Sequence, residues 1–146
     1  KNQVPASIAD RSWPFRDLID QGALLAVGSD WPIAPIPDPW IAMEALITRA
    51  NPNPKIMGQS NPSAAITLAE AIAAFTGNSA KAIAMEGAIG TIAPGGSADF
   101  IILNHNLFDI DTTAIHQTKV LQTYFRGRKV YGRELSTHAV EMNTSE

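Results

Sequence analysis

The chain contains no cysteine, which rules out disulfides and thiolate metal sites. It has no apolar run near the ~18 residues that a membrane-crossing helix needs. Its opening residues, Lys1-Asn2-Gln3-Val4-Pro5, lack the apolar core of a secretion signal. A soluble protein is expected, with no membrane partner and with the compartment open between cytoplasm and periplasm. Basic charge is also sparse. Eleven Lys and Arg stand against 14 Asp and Glu, and the basic residues bunch only at Arg126-Gly127-Arg128-Lys129, a pattern without the footprint of a nucleic-acid partner. The plainest reading of that stretch is a solvated hairpin turn.

Histidine is scarce as well. His105, His116 and His138 show neither His-x-His nor HExxH spacing, and all three read as loop or tail side chains exposed to water. A catalytic zinc commonly takes three protein ligands, so no metal or other cofactor is expected to be retained by this chain alone. The first residue is not methionine, and the first clear element opens near Trp13. The expectation is therefore that a native start lies upstream.

What is present is enough for one core: 146 residues, 45% of them apolar. Ser12 and Pro14 followed by Phe15, Leu18 and Ile19, with Gly22 as stop, predict a short amphipathic helix over 14–21. The continuous apolar run Ala23-Leu24-Leu25-Ala26-Val27, halted by Gly28-Ser29-Asp30, predicts a strand over 23–28 covered on both faces, as in a parallel sheet. The proline-rich stretch from Trp31 to Pro39 excludes regular structure. Asp38 then caps a helix over 39–50, with Trp40, Met43, Leu46, Ile47 and Ala50 on one face.

Further on, Thr67 and Glu70 are spaced as a capping box opening a helix over 68–76, and Asn78 caps a second helix over 79–85. From there the period shortens. Residues 89–92 read as a short strand, 98–103 as a longer one, and 119–126 with 129–131 as a hairpin. The residues after Gly132 are polar and read as a fraying tail. One parallel strand cannot cover itself, so the uncovered strand and sheet edges predict association, with a homo-oligomer as the expected partner state.

Asp30 is the residue that invites chemistry, because a carboxylate where a buried strand meets a loop stands where α/β barrels place catalytic groups. One of its oxygens can bind a divalent cation and the other can take a proton from water. Simple turn formation by Ser29 or Asp30 is the plainer reading of the local pattern. Trp31 and Trp40 flank the loop and can line a substrate pocket or pack as core or lid. Asp99 reads as a structural carboxylate bonded to turn backbone.

Several segments in order resemble the C-terminal end of the amidohydrolase superfamily, in particular the amidohydrolase 3 group. They are Leu18-Ile19-Asp20-Gln21-Gly22, Leu25-Ala26-Val27-Gly28-Ser29-Asp30-Trp31-Pro32, Leu68-Ala69-Glu70-Ala71 with Phe75-Thr76-Gly77-Asn78-Ser79-Ala80, Gly90-Thr91-Ile92-Ala93-Pro94-Gly95-Gly96-Ser97-Ala98-Asp99-Phe100, and Thr123-Tyr124-Phe125-Arg126-Gly127-Arg128-Lys129-Val130-Tyr131.

The resemblance implies an α/β fold class: the C-terminal fragment of a (β/α)8 metal-dependent hydrolase barrel plus the C-terminal strands of its small β-sandwich domain. Residues 1–87 would end the barrel, 88–132 would belong to the sandwich, and 133–146 would form the tail. It also implies a divalent metal, zinc first, and a small-molecule amide-type substrate whose carbon–nitrogen bond is hydrolysed by activated water. Asp30 would be the metal-touching proton shuttle. The histidine ligands would lie upstream of Asp30, so the isolated chain is expected to be inactive. The alternative is a non-catalytic regulatory or binding protein on the same scaffold.

Overall fold

A computed structural model describes residues 5–53 and 55–132. The expected tail over 133–146 and His138 lie outside the described residues. Helices α1 (Ala6–Ala9), α2 (Phe15–Asp20), α3 (Pro39–Thr48), α4 (Leu68–Phe75) and α5 (Gly77–Ala82) precede strands β1 (Phe100–Leu103), β2 (Val120–Phe125) and β3 (Arg128–Gly132). Short 3-10 turns occupy Pro62–Ala64, Leu107–Asp109 and Thr112–Gln117. Among the described residues no helix is long and apolar enough to cross a membrane.

The capping expectations for α3 and α4 hold. Asp38 accepts the Trp40 amide at 2.9 Å, with Pro39 as the first helical residue. In α4 the Thr67 hydroxyl accepts the Glu70 amide at 3.2 Å and the Glu70 carboxylate accepts the Thr67 amide at 2.8 Å. Arg16 of α2 reaches the same carboxylate at 2.8 Å and thereby ties α2 to the start of α4. Helix α3 is shorter than expected, because Arg49 turns into the left-handed region at φ 56° and ends it.

The core gathers Met43 and Leu46 of α3, Ile66, Ala71 of α4, and Leu107 and Ile115 from the 3-10 turns. Ile115 is completely buried, and its segment Thr112–Gln117 packs on α3. That segment carried no readable helical period, since it is too short to repeat one.

The sheet is antiparallel in the order β1-β2-β3. Phe100 faces Tyr124 in register and their rings stack at 4.5 Å, a cross-strand aromatic pair that fixes β1 on β2. The turn between β2 and β3 has Arg126 and Gly127 both at positive φ, as a two-residue hairpin connection requires. Arg126 and Arg128 are exposed there, as expected of a solvated turn.

Four expectations need correction. Residues 23–28 are extended but join no ladder among the described residues. They are covered on one face only: Leu25 and Val27 turn to the core while Leu24 and Ala26 stay exposed. A strand is defined by its neighbours, and none of the described strands lies beside this one. Residues 89–92 form no strand either. Ile89 makes a single isolated bridge to Glu86, and Gly90, at φ +84°, sits so close to Ala80 and Gly77 that the chain turns there.

Third, α5 starts at Gly77, so Asn78 falls inside its first turn and cannot cap it. Its side-chain amide instead donates to the Leu25 carbonyl at 3.1 Å and holds the extended segment against α5. Fourth, His105 and His116 are half-buried and bonded rather than freely solvated. His105 Nε2 lies 3.1 Å from the Thr118 hydroxyl, and His116 meets the buried Glu44.

Candidate functional site

The extended segment 23–28 delivers Asp30 to its C-terminal end. Leu25 and Val27 anchor the segment to the core, and the Val27 amide donates to the Ala74 carbonyl of α4 at 3.3 Å. The chain then turns sharply. Asp30 adopts φ 54°, a conformation that aspartate tolerates better than most residues, and its carbonyl accepts the Ile33 amide at 2.8 Å. The Ser29 hydroxyl accepts the Trp31 amide at 3.3 Å, and the Trp31–Pro32 bond is cis.

The side chain of Ser29 therefore serves the turn, whereas that of Asp30 does not. The Asp30 carboxylate is exposed and has no hydrogen-bond or ion-pair partner among the described residues. Trp31 is 64% exposed on the loop beside it, a position open to a ligand. Trp40 is half-buried and packs against the core cluster from the first turn of α3.

A cleft of about 790 Å³ opens next to this turn, bounded by Gly28, Ser29, Ile36, Ile41 and Arg49. Arg49 was not singled out in the sequence, although an arginine closing an apolar helix is a signal in hindsight. Glu44 was missed in the same way. It sits flush with the apolar stripe of Met43, Leu46 and Ile47, is only 4% exposed, and pairs with His116.

Asp99 is structural, with one difference from expectation. It bonds the Arg126 amide of the hairpin turn at 2.7 Å rather than its neighbouring Pro-Gly-Gly turn. That bond holds its carboxyl below the usual aspartate value.

The donor set does not fit a complete metal site. Among the described residues no three of His, Asp and Glu cluster to hold an ion, and His105 and His116 are engaged elsewhere. Asp30 is the one open carboxylate at the segment end.

The chain is 35% identical over 120 residues to Protein LONG AFTER FAR-RED 3 of Arabidopsis thaliana, covering 82% of this chain and 20% of that protein. It is 33% identical over 120 residues to the putative amidohydrolase YtcJ of Bacillus subtilis (strain 168), covering 82% and 22%. The chain thus spans about a fifth of the length of these relatives. The crystal structure of an amidohydrolase from Thermotoga maritima MSB8 superposes with a TM-score of 0.60 at 22% identity, covering 82% of this chain and 26% of that one, a likeness of fold. Residues 3–131 match the amidohydrolase family Amidohydro_3, and the chain belongs to that family.

Proposed function

We propose that this chain is the Asp30-bearing part of a metal-dependent hydrolase that cleaves a non-peptide carbon–nitrogen bond, such as an amide, formamide or cyclic amide. The observation that carries the reading is the Asp30 carboxylate, unbonded among the described residues just past segment 23–28, while the Asp30 backbone and the Ser29 hydroxyl make the turn. An open carboxylate can accept a proton from an attacking water and return it to the leaving nitrogen. Trp31 would form an apolar wall beside it, and Trp40 would act through the placement of α3.

In the same reading, residues 1–87 belong to a (β/α)8 barrel, and segment 23–28, which joins no ladder among the described residues, would become its last strand only beside strands from polypeptide beyond the chain. The sheet β1-β2-β3 is the C-terminal share, over 88–132, of a small sandwich. A divalent ion, zinc first, would supply the polarisation of the carbonyl. This chain offers it Asp30 alone, so the remaining ligands would come from polypeptide beyond the chain, which in the relatives is about four-fifths of the protein.

The test is Asp30→Asn in the whole protein that carries the chain, assayed on a panel of simple amides and cyclic amides with metal content measured in parallel. Turnover is expected to fall by about 10²–10⁴-fold, the usual range for a lost general base, with substrate binding changed much less. Wild-type turnover at unchanged metal content would make Asp30 a turn residue. A wild type inactive on the whole panel, with no metal bound, would favour a regulatory or binding role.

A further inference from the structure

We infer that the cleft beside Arg49 is a binding site for a small-molecule oxyanion, a carboxylate or phosphate group gripped by the Arg49 guanidinium. Arg49 is only 9% exposed, so it is as buried as much of the apolar core. Its guanidinium lies 5.1 Å from the centre of the Phe15 ring, and Nε donates to the Ser60 carbonyl at 3.0 Å. The group is thus held in place from two sides. Its two Nη groups make no hydrogen bond and no ion pair among the described residues, and they are not sealed from solvent, so they are free to meet a ligand.

A buried cation without a counter-ion is rare, because arginine cannot shed its proton to escape the cost of dehydration. Arg16 shows the ordinary arrangement: it is more exposed and still binds two carboxylates, Asp20 and Glu70. Among the described residues nothing comparable neutralises Arg49. The carbonyls at the end of α3 supply about half a unit of negative charge at most, which leaves much of the cation unanswered. Asp38 lines the same cleft, but its Oδ1 is engaged with the Trp40 amide at the other end of the helix. Burial also pushes the Arg49 guanidinium below its ordinary value.

The position suits a ligand. Arg49 borders both the cleft of about 790 Å³ and a smaller one of about 420 Å³, and Gly28 borders both, two residues before Asp30. A planar fork with free N–H groups matches the two oxygens of a carboxylate or phosphate, while Ile36 and Ile41 offer apolar surface to the rest of a small molecule. The inference holds whether or not Asp30 serves hydrolysis.

The test is a nuclear magnetic resonance titration of the full chain, following the arginine Nε–Hε signals with inorganic phosphate and with acetate, against chloride at equal ionic strength. The Arg49 signal, identified by its absence in Arg49→Lys, is expected to shift saturably with at least one probe. The stronger response identifies the anion class. Arg49→Gln should abolish probe binding, and Arg49→Lys should weaken it about tenfold or more, because an ammonium cannot present the fork. An Arg49 signal that does not saturate with either probe overturns the inference. So does a folded Arg49→Gln that binds like wild type. If that variant does not fold, the wild-type titration decides alone.

Discussion

The Oε2 oxygen of Glu44 meets His116 twice, accepting its backbone N–H at 2.9 Å and lying 2.7 Å from its Nδ1. A carboxylate can only accept, so the imidazole carries its proton on Nδ1. The two residues are 72 positions apart, and together they clamp the segment Thr112–Gln117 onto α3. Because Glu44 is buried, its removal leaves the His116 amide without an acceptor. Glu44→Ala is expected to cost about 1.5–3 kcal/mol in urea unfolding, the range for a bond to a charged group. His116→Ala keeps the backbone bond and should cost less. A Glu44→Ala protein within about 0.5 kcal/mol of wild type would make the clamp dispensable.

Next to that clamp, Ile115 is the largest completely buried side chain among the described residues. Truncation to alanine removes apolar contacts from both α3 and the neighbouring turn and leaves a cavity. Ile115→Ala should lower stability by about 2–5 kcal/mol. A loss under about 1 kcal/mol would mean that the site collapses around the gap or that the segment opens in solution.

Acid should weaken the junction of α2 and α4. The Thr67 amide first, and then the Arg16 side chain, hold the Glu70 carboxyl below its ordinary value. The unfolded chain therefore binds the proton more readily than the folded one. The contribution is complete above the ordinary glutamate value of about 4.3 and is lost as pH falls through the lower folded value. Glu70→Gln should flatten the acid limb of a stability-against-pH curve and leave neutral stability lower by about 1 kcal/mol, the size of a weakened cap. An acid limb identical in wild type and variant would assign the pH response to other carboxylates.

Gly90 occupies a position closed to side chains. A Cβ there would stand 2.7 Å from the Ala80 Cβ and 3.0 Å from the Thr76 carbonyl, and φ is +84°. The strain of that conformation is on the order of 1–3 kcal/mol, before the clash is counted. Gly90→Ala is expected to destabilise by at least that amount, whereas Gly95→Ala, with open space around it, should show only the conformational part. Equal melting temperatures for the two variants would refute the close approach.

Self-association is the expected behaviour of this chain in solution. Among the described residues segment 23–28 joins no strand ladder, its bonds at Leu25 and Val27 going to Asn78 and Ala74, and Ile101, Val130 and Tyr131 of the sheet are exposed. Open strand edges and apolar surface recruit partners. Sedimentation should show a concentration-dependent dimer or larger species. A single monomeric boundary over a hundredfold concentration range would contradict it.

Some features were local enough to read from the chain itself. The caps of α3 and α4 depend on Asp38, Thr67 and Glu70, whose side chains reach no farther than the next turn. The hairpin needs only β-forming residues around Arg126-Gly127. The family assignment came from short segments in a fixed order, which survive without any knowledge of contacts. The place of Asp30, a carboxylate ending an apolar run, was legible in the same way, whereas its role is a proposal.

The rest depended on residues meeting across long intervals of chain. Nothing near Glu44 announces His116, nothing near Asn78 announces Leu25, and nothing near Arg49 announces Phe15 and Ser60. Pairing is also why 23–28 was misjudged: apolar content specifies that a segment wants covering, but only neighbouring backbone makes it a strand. The sequence by itself determined the local stops, caps and turns, because each is decided within a few residues. Burial, charge compensation and strand partnership were decided by the tertiary structure, because each is a property of what the fold places beside a residue.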